Sequence, residues 1–181
     1  SPVDKFDIFP ASQSLDIALN DGDKITAMAT FADRILQFKT NTLYILNVSG
    51  DYEYVEGEHL YKGVRHQSQV IRTEYGVAWA NTNGCYLYDG QQVTDLLESD
   101  GIRKINANNW SVFIGTANYH RVGFNPSKRQ LVVLGGNTST FGFVYDMITK
   151  SWVVSKGMNA DGNTNSNFIN DSANYGRLCI L

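Results

Sequence analysis

The chain has 181 residues, of which 43% are hydrophobic, 12% aromatic and 18% charged, with a net charge of -3. It is long enough to bury a core within one domain and too apolar to be disordered. It is also too poor in clustered Lys and Arg for broad electrostatic attraction to nucleic acid. No apolar run reaches the ~18 residues of a membrane-crossing helix, and Ser1-Pro2-Val3-Asp4-Lys5 does not have the basic-then-apolar pattern of a signal peptide.

In chain order, residues 1 to 20 hold two weak strand patterns, Phe6-Asp7-Ile8-Phe9 and Leu15-Asp16-Ile17-Ala18-Leu19, separated by Pro10. Asn20-Asp21-Gly22-Asp23 is a turn signal. Next, Ile25, Ala27 and Ala29 alternate with Thr26, Met28 and Thr30, as a half-buried strand requires. Strands follow at Arg34 to Phe38, Thr42 to Asn47 and Tyr52 to Val55. Residues 56 to 67 read as a polar loop. A second set starts near Ser68, with strands at Val70 to Arg72, Gly76 to Ala80, Cys85 to Tyr88 and Val93 to Leu97. Asn83-Gly84 and Asp89-Gly90 lie between its runs, and both pairs are strong hairpin signals. Residues 98 to 116 break the rhythm, and within them Ser99 to Asn106 reads as one helical turn or a crossover loop. A third set has strands at Tyr119 to Phe124, Gln130 to Leu134, Phe141 to Tyr145 and Ser151 to Val154. Residues 157 to 167 are polar and rich in Gly, Asn and Ser. Strands at Asn167 to Ile169 and Arg177 to Leu181 end the chain.

The three sets share one phrase, an apolar strand ending in Asn or Asp at a turn. The phrases are Thr42-Leu43-Tyr44-Ile45-Leu46-Asn47, Gly84-Cys85-Tyr86-Leu87-Tyr88-Asp89 and Gly142-Phe143-Val144-Tyr145-Asp146. Asn47 and Asp89 are 42 residues apart, and Asp89 and Asp146 are 57 apart, the longer gap holding the 98 to 116 insert. Propeller repeats run at about 40 to 50 residues. The expected fold is therefore all-β: a β-propeller, or part of one, of about four four-stranded antiparallel blades. The expected units are 22–60, 66–98 and 117–157 within a single domain, with 1–20 and 163–181 as a partial fourth blade. The closing run Leu178-Cys179-Ile180-Leu181 has no polar finish, so a piece of a longer protein is expected, its apolar edge covered by further strands or a second copy.

Asn47, Asp89 and Asp146 are expected to be structural, because carboxylates and amides at such turns accept backbone N–H groups. Tyr44, Tyr88, Tyr145, Trp79 and Trp152 lie in strand patterns and are expected to pack between sheets. Paired carboxylates at strand ends would suit a propeller glycosidase, but no spacing selects a pair. Candidate binding residues are Trp110 with Asn108 and Asn109 in the insert, and His59, Arg65 and His66 in the polar stretch. Trp110 either stacks on a sugar or base or plugs the core. Cys85 and Cys179 read as buried thiols. No catalytic, metal or cofactor motif is expected.

Two resemblances follow from these phrases. Phe143-Val144-Tyr145-Asp146 followed by Trp152, after Gly135-Gly136, resembles a kelch repeat. Over residues 22 to 97, the phrases Gly22 to Phe31, Asp33 to Lys39, Leu43 to Leu46, Gly76 to Trp79 and Asn83 to Gly90 resemble propeller proteins of tailed bacteriophages. Tail nozzle and tail-tube-end proteins of short-tailed phages are the nearest in kind. That resemblance implies a non-enzymatic virion component in a ring around a DNA exit channel. Its partners would be other virion proteins or further copies of itself, with DNA passing through passively. A carbohydrate- or receptor-binding propeller module is the alternative, and a propeller glycoside hydrolase the second.

Overall fold

Strands that must bury both faces need apolar residues at every position, whereas edge strands need them at none. The computed structural model describes residues 16–17, 22–50, 52–115, 120–135, 141–157, 168–171 and 177–180. The first sheet is a meander of β1 (Ile25–Phe31), β2 (Arg34–Lys39), β3 (Thr42–Asn47) and β4 (Tyr54–Leu60). The second is β5 (Val70–Thr73), β6 (Gly76–Ala80), β7 (Cys85–Tyr88) and β8 (Val93–Asp95). A short hairpin, β9 (Glu98–Ser99) with β10 (Ile102–Arg103), and a helix, α1 (Ala107–Ile114), follow. The third sheet is β11 (Arg121–Asn125), β12 (Gln130–Leu134), β13 (Phe141–Asp146) and β14 (Ser151–Lys156). A two-stranded sheet, β15 (Phe168–Asp171) with β16 (Arg177–Ile180), ends the described chain. All strand pairs are antiparallel.

Among the described residues the fold is all-β apart from α1 and one 3₁₀ turn, Gln67–Gln69. The sheets stack in chain order, with β1 against β5, β5 against β11, and β11 against β15 and β16. The first strand of each sheet thus lies beside the first strand of the next. Among the described residues three stacked sheets have four strands, the last has two, and they do not close into a ring.

Strand alternation sorts the core into layers. In the second sheet every residue of Gly76–Ala80 is buried. Val77, Trp79, Tyr86 and Tyr88 face the first sheet, where Leu36, Phe38, Leu43 and Ile45 meet them. Trp79 sets its ring edge-on to Phe38 at 5.3 Å. On the other face lie the small residues Ala78, Ala80 and Cys85, which leave room for larger partners. Val122, Leu131, Val133 and Tyr145 of the third sheet fill that room together with α1. The opposite face of the third sheet, Val132, Leu134 and Val144, receives Phe168 and Leu178. Gly123 permits this approach, since a Cβ there would lie 2.5 Å from the Phe168 ring. Each large apolar side chain so buried contributes about 1.5–3 kcal/mol.

Two expectations need correction. Residues 56 to 60 are not loop: β4 runs through Leu60 as the outer edge strand. Its Glu, Gly and His residues have low strand propensity, but an edge strand open to water tolerates them. A bulge opposite Ile45 and Leu46 accommodates Glu56, whose carboxylate pairs with Arg34. Ser99 to Asn106 is neither a helical turn nor a crossover loop: it completes the β9–β10 hairpin, and an eight-residue helix that was not expected, α1, follows it. The two strands expected at the end of the chain are β15 and β16, which pair with each other, while the strand expected at Phe6 to Phe9, most of that at Leu15 to Leu19, and residues 158–167 lie outside the described residues.

Candidate functional site

The insert supplies part of an open cleft. Asn106 caps α1, its side chain accepting the N–H groups of Asn108 (2.9 Å) and Asn109 (3.4 Å). Gly115, at a positive φ of 78°, ends the helix and returns its N–H to the Ser111 carbonyl. Trp110, Phe113 and Ile114 fall on one face, at the i, i+3, i+4 spacing that a helix brings together, and all three are buried.

Trp110 is fully buried, so the expectation that it offers a stacking face to a sugar or base does not hold. Its ring lies among Phe113, Phe143 and Trp152 at centroid distances of 5.8–5.9 Å. Its indole N–H donates to the Asn81 carbonyl at 2.8 Å. The residue fills the gap that Ala78, Ala80 and Cys85 leave between the second and third sheets.

Beside this plug is an open cleft of about 330 Å³ lined by Lys104, Ile105, Asn106, Asn109, Phe143, Trp152, Val153 and Val154. Asn109 is exposed on its rim, while Asn108 is exposed outside it. Trp152 is only partly buried, and its indole N–H is turned inward to the Leu96 carbonyl at 2.7 Å. The surface it presents to the cleft is therefore carbon.

Arg65 belongs to a different place. It is exposed and lines a polar niche of about 60 Å³ with Asn81, Gln69, Tyr61 and the backbone of Gly63. Asn81 holds the niche together: its amide donates to the carbonyls of Tyr61 (3.0 Å) and Gly63 (2.8 Å), and its oxygen accepts from Asn83 and Gly84. His66 is exposed at the 3₁₀ turn, and its N–H, like that of Arg65, donates to the buried Gln69 oxygen. His59 is half-buried on β4, across from Leu43. Burial, then the charge of Lys62, holds its pKa below the ordinary value. Of the candidate residues only Asn109 and Arg65 line a cavity, and the two cavities are separate.

Asn47, Asp89 and Asp146 each occupy the turn between third and fourth strands. Each accepts the N–H two residues on, from Ser49, Gln91 and Ile148 respectively, at 2.8–2.9 Å. The N–H bonds from Thr149 and Ile148 hold the Asp146 carboxyl below the usual range. Tyr88, Tyr145, Trp79 and Tyr44 are buried. Tyr44 lies on the face of the first sheet away from the second, where the Lys39 ammonium sits 5.6 Å from its ring. Asp95, on the outer strand β8, has a pKa raised by burial, and its carboxylate accepts the Leu97 N–H at 2.9 Å. Cys85 is a free buried thiol whose pKa burial pushes up. Among the described residues no group of His, Cys, Asp and Glu is arranged to hold a metal ion.

Sequence reasoning missed several buried polar groups, His120 among them. His120 is fully buried, with Nε2 2.7 Å from the Ala80 carbonyl and Nδ1 3.5 Å from the Gln69 amide nitrogen. A carbonyl can only accept, so Nε2 carries the proton and Nδ1 is the acceptor. Burial pushes its pKa down to about 4. Its partners lie 40 and 51 residues away in sequence, a separation at which no local pattern signals contact.

Compared with models of known protein families and with curated proteins, the chain matches none.

Proposed function

We propose that this chain is a propeller-type segment of a non-enzymatic structural protein of a tailed-phage virion. In this reading each four-stranded sheet is a blade, the third of them kelch-like. Closure into a ring around a DNA exit channel comes from further strands or further copies. The mechanism is rigid presentation: the blades hold loops and edge strands against neighbouring virion proteins.

The observation that carries the reading is the succession of four-stranded meanders joined through their first strands β1, β5 and β11. Propeller blades are laid about an axis in the same way. The matching turns at Asn47, Asp89 and Asp146 support it, because chemically attractive residues that recur in each unit here serve the turn. The sparse positive charge suits a surface past which DNA slides without sticking.

Mass spectrometry of purified tailed particles from the source organism tests the proposal. Peptides of this chain should co-purify with the tail at fixed stoichiometry. Their absence from particles that retain their tails would refute it.

A further inference from the structure

We propose that the cleft between α1 and β14 is a saccharide-binding site. This inference is independent of the virion reading and rests on what the cleft offers chemically. Its floor is carbon: Phe143, Val154 and the part of Trp152 left outward when the indole N–H turns in to Leu96. Its rim is polar. The Asn109 side-chain amide and the Lys104 ammonium make no hydrogen bond or ion pair to described residues, so their donors and acceptor remain available to a ligand.

A sugar ring has the matching form, with C–H groups on its faces and hydroxyls around its edge. The C–H face would lie on Trp152 and Phe143, and edge hydroxyls would bond to Asn109 and Lys104. At about 330 Å³ the cleft is at the small end of the range for ligand sites, which suits one or two rings. A nucleotide fits less well, since its phosphates call for more positive charge than one lysine lining the cleft. A wholly apolar ligand would leave the amide and ammonium without partners and gain nothing from them.

The test begins with the intact chain on an array of bacterial and animal oligosaccharides. The best-binding oligosaccharide is then titrated into ¹⁵N-labelled protein by NMR. The proposal expects saturable binding, with amide shifts confined to Lys104–Asn109, Phe143 and Trp152–Val154. Asn109→Ala and Lys104→Ala remove exposed groups and should each weaken Kd by about tenfold, the loss of one good hydrogen bond. Val154→Arg should abolish binding by filling the cleft. Unchanged thermal unfolding of the three variants would separate lost contacts from lost fold. The absence of any saturable glycan binding would overturn the proposal. So would shifts mapping elsewhere, affinity unchanged in all three variants, or preferential occupation of the cleft by adenosine or an extended peptide.

Discussion

At the scale of single residues, two buried polar side chains carry consequences that can be measured. His120 is neutral in the fold, since its folded pKa of about 4 lies below the ordinary 6.5. Between those values the unfolded chain binds a proton that the folded chain refuses. Stability is therefore full above pH 6.5 and falls as the pH drops toward 4, by about 3 kcal/mol in all. Urea midpoints measured across that window should show the fall. His120→Gln should be less stable at pH 7 but have a flatter profile, and an unchanged slope would show that the imidazole does not titrate in this way. Asn47 is the second case. It accepts the N–H and hydroxyl of Ser49 and donates to the Tyr54 hydroxyl at 3.0 Å. Asn47→Ala should cost about 2 kcal/mol, read as a lower urea midpoint with an unchanged m-value.

At the scale of elements, α1 is the piece that the strand pattern did not predict, yet it completes the core. Its i, i+3, i+4 apolar triplet was visible as Trp110, Phe113 and Ile114, but eight residues opening on two asparagines give a weak helix signal. What holds the helix is the space left by Ala78, Ala80 and Cys85, which only the packed sheets define. Trp110→Ala should destabilise by about 3–5 kcal/mol, combining a large cavity with an orphaned Asn81 carbonyl. Equilibrium unfolding followed by circular dichroism checks this. A neutral result would mean that α1 is not part of the core. The link between the first two sheets depends in a different way on Gly63, whose missing Cβ would sit 2.2 Å from the Lys39 carbonyl oxygen. Gly63→Ala must move backbone, at a cost of about 1–3 kcal/mol, and should appear in the same assay.

At the scale of the whole molecule, cover is uneven. The second sheet has a neighbour on both faces and a continuous apolar run in β6. The outer strands β4 and β14 consist only of exposed and half-buried residues. Amide hydrogen exchange should therefore be slowest in β6 and β7 and fastest in β4 and β14. Equal protection across those strands would contradict the layered packing. The first sheet also departs from the others. Where the second presents Val77 and Trp79 and the third Leu131 and Val133, its equivalent face carries Gln37 and Lys39, both buried.

Strand periodicity and turn chemistry are local properties, so the sequence by itself determined the all-β class, the three four-stranded units and their Asn or Asp turns. It also marked Trp79 and Trp152 as packing residues, because continuous apolar strands require cover on both faces. Tertiary structure alone decided that Trp110 is a plug rather than a platform, that the polar stretch through His59 is an edge strand, and that Gln69 and Ala80 meet His120. The reason is physical: burial, pKa and cleft shape arise from groups distant in sequence, and those meet only when the sheets stack.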